Sequence, residues 1–423
     1  MLVLLFFLLA AMALALPSPQ RRIAPKAVYV PVGNSGYVYY VNVTVGTPPQ
    51  PASLFIDTGS DLTWIDDKGT HCRPGSSPAS CADNLALFDP AQSDSYTLLN
   101  QSAFKDEFAD FSHVQGDYFT DTFAMGSLAV SSAQKPFSLQ DHTMGLAKID
   151  RHRPAEYGMI GLSPRWPSDL PPGAVHKDNP ESAEMLAVMK QKDIIRTRSF
   201  SMSLGHREDH SGSLLFGAYD PSKFEGSLAV VPMQKDTGFD RYVDYQVNVS
   251  SVALTDSRGT TKRITSTTFN SIAILDSGTP MTILPKYLYR ALVEATGAYY
   301  TDSKSDPSLW QDCKKIPVGT MDFEFGGLGE RSRIAVKLSD FFVPKHGQGP
   351  AAKGSTLCEF SANDEAHDGM LFLGQSFMRS AYIVHHLDEK VIGLAQAKDV
   401  DQGASSFEDV VEIKPGDSMF RLE

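Results

Sequence analysis

Apolar and polar residues alternate with a period of two through most of this chain, in short runs rich in β-branched and aromatic residues and bounded by Gly, Pro, Asn and Asp. The segments YVYYVNVTVG, DYFTDTFAMG, YQVNVSSVAL and RIAVKL are of this kind, and each predicts a strand with one face buried. A helical period is rarer. SAEMLAVMKQKD places Met185, Leu186 and Met189 on one side of a helix. KYLYRALVEATG predicts a second helix that starts after Pro285 and ends near Gly297. The pattern is that of a mostly β chain with a few small helices. RWPSDLPPGAVHKDNPES, rich in Pro, Asp and Ser, predicts a surface loop.

Within this pattern one element occurs twice. LFIDTGSDLTWI carries Asp57 and AILDSGTPMTILP carries Asp276, 219 positions later. In each, an apolar strand-like run ends in Asp, followed by a hydroxyl residue, a Gly and a second hydroxyl residue. Duplication of such an element is what two symmetry-related half-sites need to bring two carboxylates face to face. Two carboxylates about 3 Å apart cannot both ionise cheaply, so the pair shares one proton. One can then act as general base toward a water while the other acts as general acid.

At 423 residues the chain exceeds the size at which single cores stop growing, and two lobes are expected. The net charge of −12 and a pI near 5.4 exclude the basic surface that nucleic acid or an anionic membrane would select. Residues 1–15, within MLVLLFFLLAAMALAL, read as a secretory signal peptide with Ala13-Leu14-Ala15 as the cleavage pattern; a retained anchor helix is the alternative. No hydrophobic C-terminal tail signals a lipid anchor. Four cysteines in an exported chain read as two disulfides, for which three pairings exist. A zinc site at Cys72, Cys81 and His71 is disfavoured by the loose ligand spacing. Sequons stand at Asn42, Asn100 and Asn248, Asn42 being the least certain because it lies in a predicted strand.

These segments resemble the pepsin-like aspartic proteases, whose dyad is a worked example of paired carboxylates. The resemblance runs from about Val38 to about Ala397 and includes VNVTVGTPPQPASLFIDTGS, FDPAQSDSYTLL, YGMIGLSPR, GSLLFGAYDPSKFEGSL and FLGQSFMRSAYIVHHLDEKVIGLA. It implies a bilobal fold of two pseudo-symmetric β-rich lobes with the active-site cleft between them. The lobes are expected at 27–232 and 233–399, after a short N-terminal segment at 16–26 and before a loosely held polar tail at 400–423. It implies Asp57 and Asp276 as the catalytic pair. Thr58 and Ser277 would lock the two loops together, Gly59 and Gly278 would let the backbone pass close to the carboxylates, and Ser60 and Thr279 would hydrogen-bond the adjacent aspartate. It also matches in-lobe pairing of Cys72 with Cys81 and of Cys313 with Cys358. No metal, cofactor or covalent intermediate is required.

Two features depart from the family pattern. The hairpin over the cleft usually carries a Tyr and a glycine-rich tip. Here FADFSHVQGDYFTDTFAMG puts Asp110 or Phe111 at that position, with Trp64 kept where the Tyr would meet it and Tyr118 a weaker substitute. The segment LPSPQRRIAPKAVYVPVGNSG, with a dibasic Arg21-Arg22, is short for a cleft-filling propeptide, so activation without one is expected. Pro280 replaces a small polar residue beside Thr279. Gly326-Gly327-Leu328-Gly329 reads as a hairpin turn rather than a phosphate loop, and His385-His386, on opposite faces of a strand, cannot share a metal. The functional expectation is a secreted, monomeric aspartic endopeptidase acting on proteins or peptides, with a vacuolar or lysosome-like compartment as the alternative location. A catalytically weak binding or inhibitor protein on the same fold is the second reading. A glycosidase, whose carboxylates stand further apart, is the third.

Overall fold

The computed structural model describes residues 26–35, 38–72, 87–108, 111–128, 135–150, 157–164, 185–205, 212–236, 238, 240–300, 308–326, 332–344, 357–364, 369–398 and 409–422. The signal peptide, Arg21-Arg22, Asp110, Cys81 and the 165–182 loop lie outside these residues. The fold is mostly β. Among the described residues, a 14-stranded sheet holds most of the first half of the chain, beside nine-, four- and two-stranded sheets.

Strand burial follows the sequence pattern. Val28–Asn34 and Tyr39–Val45 alternate between buried and less buried positions, as strands with one covered face do. The Gln50–Asp57 strand is buried on both faces over its last four residues, and so is all of Gly158–Gly161, which runs parallel beside it. The same arrangement recurs in the second half, where Ser271–Leu275 pairs parallel with Leu371–Leu373. Both aspartates therefore sit at the ends of strands held inside a sheet, which fixes their backbone.

The two expected helices form. Met185–Gln191 buries Met185, Leu186 and Met189. Lys286–Thr296 begins after Pro285 and ends at Gly297, whose left-handed conformation (φ 65°) closes the last turn. Cys313 and Cys358 are joined in a disulfide. Phe325 pairs with Ser332, so Gly326 opens the connection of a hairpin, although Gly327 to Gly329 lie outside the described residues.

Two arrangements go beyond the sequence pattern. The strands Ala381–His386 and Val391–Ala397, late in the chain, join the large sheet and pair with Ser199–Ser203 and Phe224–Pro232. The C-terminal stretch, expected to be loosely held, is docked. Val411–Glu412 pairs with Ala218–Tyr219, Arg196 bonds Glu412, and Ile413 and Phe420 are completely buried.

Candidate active site

Asp57 and Asp276 end their strands in two loops that interlock. Thr58 Oγ1 donates to the Leu275 carbonyl at 2.9 Å and accepts from the Ser277 amide at 2.9 Å. Reciprocally, Ser277 Oγ donates to the Ile56 carbonyl at 2.8 Å and accepts from the Thr58 amide at 3.1 Å. Both hydroxyl residues are fully buried, so breaking any of these four bonds strands a polar group away from water.

Each carboxylate is oriented by its own loop. Asp57 accepts from the Gly59 amide at 2.7 Å and the Ser60 hydroxyl at 2.7 Å. Asp276 accepts from the Gly278 amide at 2.9 Å and the Thr279 hydroxyl at 2.6 Å. The glycines are required by close approach: a Cβ on Gly59 would lie 2.9 Å from Asp276 Oδ1, and one on Gly278 would collide with Asp57 Oδ1. Behind the loops, the Leu162 amide donates to the Asp57 carbonyl at 2.8 Å and the Ser163 amide to the Ser60 carbonyl at 2.9 Å. On the other side, Gln375 donates from its amide to the Thr279 carbonyl at 2.8 Å and from Nε2 to the Ser277 carbonyl at 2.9 Å.

The electrostatics follow from this packing. Asp57 is only 6% exposed, and the Asp276 carboxyl lies close enough to repel its charge. Burial first, and the Asp276 charge second, push the Asp57 pKa well above the usual carboxylate range, against the lowering effect of Ser60 and Gly59. Two carboxyls on facing loops, one of them reluctant to ionise, resist losing both protons together.

The hairpin of Thr97–Glu107 and His113–Leu128 places the remaining expected residues. Glu107 pairs with His113, so the turn is Phe108 to Ser112, closed by the Phe108 amide on the Ser112 carbonyl at 2.9 Å. Phe111 stands at the tip with φ 64° and is 84% exposed, away from the buried cluster around Trp64. Asp110 lies outside the described residues. From the described residues of the turn, it is Phe108 that packs against the cluster of Trp64, Leu62, Phe55, Phe104, Tyr118 and Tyr157, beside Tyr40. The sequence pattern points to Asp110 or Phe111 at the inward position, of which Phe111 faces solvent. Pairing of Glu107 with His113 leaves a five-residue turn and moves the inward aromatic position to Phe108. Tyr118 is buried in the return strand, at the edge of the Phe104 ring.

Gln375 was not among the expected site residues, although it stands within the resembling segment FLGQSFMRS. The Cys72–Cys81 pairing cannot be placed, because Cys81 and the Cys72 side chain lie outside the described residues. All three sequon asparagines are in strands; Asn42 and Asn100 are exposed and Asn248 is half-buried.

A parallel-braced pair of Asp-hydroxyl-Gly loops, locked to each other and set in two β-rich halves, defines an aspartic protease. The chain belongs to the eukaryotic aspartyl protease family, whose model matches residues 38–397. Yapsin-3, an aspartic proteinase of Saccharomyces cerevisiae, is 29% identical over 373 residues, covering 87% of this chain and 67% of the relative. Candidapepsin-4 of Candida albicans is 28% identical over 385 residues, covering 89% and 80%. A probable aspartic-type endopeptidase of Aspergillus oryzae is 27% identical over 402 residues, covering 94% and 75%. The crystal structure of the aspartic proteinase from Irpex lacteus has the same fold, with a TM-score of 0.64 at 19% identity, covering 88% of this chain and 98% of that one. The protein is an aspartic-type endopeptidase acting on peptide substrates.

Proposed function

We propose that Asp57 and Asp276 activate the attacking water directly, and that the enzyme works in the secretory route or outside the cell. The observation that carries the first point is the reciprocal locking of Thr58 and Ser277, which ties together the two loops that carry Asp57 and Asp276. The ionised partner takes a proton from the water as it attacks the peptide carbonyl. The protonated partner donates to the carbonyl oxygen, and both carboxyls hold the resulting diol. Collapse returns a proton to the leaving amine. Ser60 and Thr279 keep each carboxylate turned toward its partner through the cycle. Phe108, seated against the Trp64 cluster, would line the cleft, and Phe111 would offer an apolar edge at the hairpin tip.

The secreted location is supported by the apolar first residues and by the name of a second Candida albicans relative, secreted aspartic protease 4. Digestion of denatured casein between pH 2.5 and 7, with and without pepstatin, tests the activity. Cleavage in the acid range that pepstatin abolishes supports the reading. Correctly folded protein that cleaves nothing at any pH would instead support a peptide-binding protein on this fold.

A further inference from the structure

A third carboxylate stands beside the dyad. The Arg241–Asp256 strand runs antiparallel to Ser271–Leu275, with Gln246 opposite Ile274 and Val247 opposite Ala273. Continuing that register two places sets Tyr245 opposite Leu275 and Asp244 opposite Asp276. Directly opposed residues of an antiparallel pair project from the same face, with Cβ atoms roughly 5 Å apart. Tyr245 and Leu275 take the core face, where both are fully buried and Tyr245 meets Phe200 and His385. Asp244 and Asp276 share the other face, close enough for the Asp276 charge to raise the Asp244 pKa.

The backbone at this point is fixed from the first half of the chain. Ser163 Oγ donates to the Val243 carbonyl at 2.6 Å, and Tyr245 Oη donates to the Leu162 carbonyl at 2.6 Å. Leu162 and Ser163 are the same residues that brace the Asp57 loop. Asp244 is thus clamped between two ties to the residues that brace the Asp57 loop, while it faces Asp276.

The groups around Asp244 leave its charge uncompensated. Gln246, two residues on along the same strand, works against the rise. Across the ladder stands Asp276, and Asp236 on the Gln234–Asp236 strand adds a further negative charge. Lys235, the cation of that strand, is paired with Asp240. Among the described residues no Lys, Arg or His forms an ion pair with Asp244. Burial, with Asp276 and Asp236 adding to it, pushes the Asp244 carboxyl up to about 6.

We propose that Asp244 is a positioning residue for the reaction: once ionised, its charge keeps the single dyad proton bound toward neutral pH, so that cleavage persists in weakly acidic to neutral surroundings. The physical reason is like-charge repulsion. A carboxylate opposite Asp276 makes removal of the last dyad proton cost more, and that removal is what ends activity on the alkaline side. The inference rests on the dyad reading given above.

The test is the pH profile of kcat/KM on one apolar peptide for the wild type, Asp244→Asn and Asp244→Glu. Asp244→Asn is expected to move the alkaline limb about one pH unit toward acid, with the rate at the acid optimum kept within about threefold. Asp244→Glu, which keeps the charge, is expected to leave the limb near its wild-type position. An alkaline limb unmoved in Asp244→Asn, or a loss equal at every pH, overturns the proposal. Wild-type protein that cleaves nothing would refute the proposed activity alone. The coupling is then read by ¹³C carboxyl titration of Asp57 and Asp276. A midpoint lowered by about one pH unit in Asp244→Asn upholds it, and unchanged midpoints overturn it.

Discussion

Asp57 and the buried histidines respond to acid in opposite senses. His142 and His385 are buried, with neither ring nitrogen hydrogen-bonded, and desolvation lowers them to about 4 and about 3. Unfolded, each takes a proton near 6.5, so their contribution to stability is intact above that value and is lost as pH falls toward 4 and then 3. His142 alone would remove about 3 kcal/mol by pH 4. Asp57 has the opposite sign. Its raised folded value means that the native state binds the proton more tightly than the unfolded chain, which penalises folding as pH rises above the ordinary carboxylate range. Thermal unfolding of the wild type, His142→Asn and Asp57→Asn should therefore show two effects. Replacing His142 by Asn should flatten the loss of stability below pH 6.5, and Asp57→Asn should be more stable than the wild type at pH 7 but not at pH 3. Equal stabilisation at both pH values would show that the Asp57 charge carries no folding penalty.

At the scale of elements, the hairpin of Thr97–Glu107 and His113–Leu128 separates two aromatic residues three positions apart. Phe108 packs on the Trp64 cluster and Phe111 faces solvent. Phe108→Ala is expected to cost about 1–2 kcal/mol, a fraction of a full core aromatic deletion, and Phe111→Ala to stay within about 0.5 kcal/mol in urea unfolding. The reverse ranking would put the turn elsewhere. This pair also marks what the sequence could reveal. The dyad was readable because each copy lies within a dozen consecutive residues and the loop geometry is local. The inward aromatic was not, because it depends on which residues pair across the hairpin, and that ladder shifts between Asn100 and Phe104. Asp244 was hidden for a related reason: only the register of two strands far apart in sequence sets it opposite Asp276.

Over the whole molecule, the large sheet draws strands from both ends of the chain, so the two halves share hydrogen-bonded structure as well as the cleft. Residues 409–422 add a clasp on its outer side. Phe420 contacts the Tyr219 ring edge-on with centroids 6.1 Å apart and His386 at 5.2 Å. The composition of this stretch reads as a tail, since a pattern of polar residues does not show that two isolated apolar side chains find a preformed hollow. Phe420→Ala should destabilise by about 3 kcal/mol while leaving kcat/KM at the optimum unchanged. A matching fall in activity at temperatures where the variant stays folded would mean that the clasp also shapes the cleft.

The central claim is that two aspartates sharing a proton perform the hydrolysis. The most direct measurement is kcat/KM of wild type, Asp57→Asn and Asp276→Asn on one peptide across pH 3–7, with folding of each variant checked by near-UV circular dichroism. The account predicts a bell-shaped wild-type profile and a loss of at least about 10³-fold in each folded variant at every pH. Appreciable cleavage by either folded variant, at any pH in that range, would contradict it.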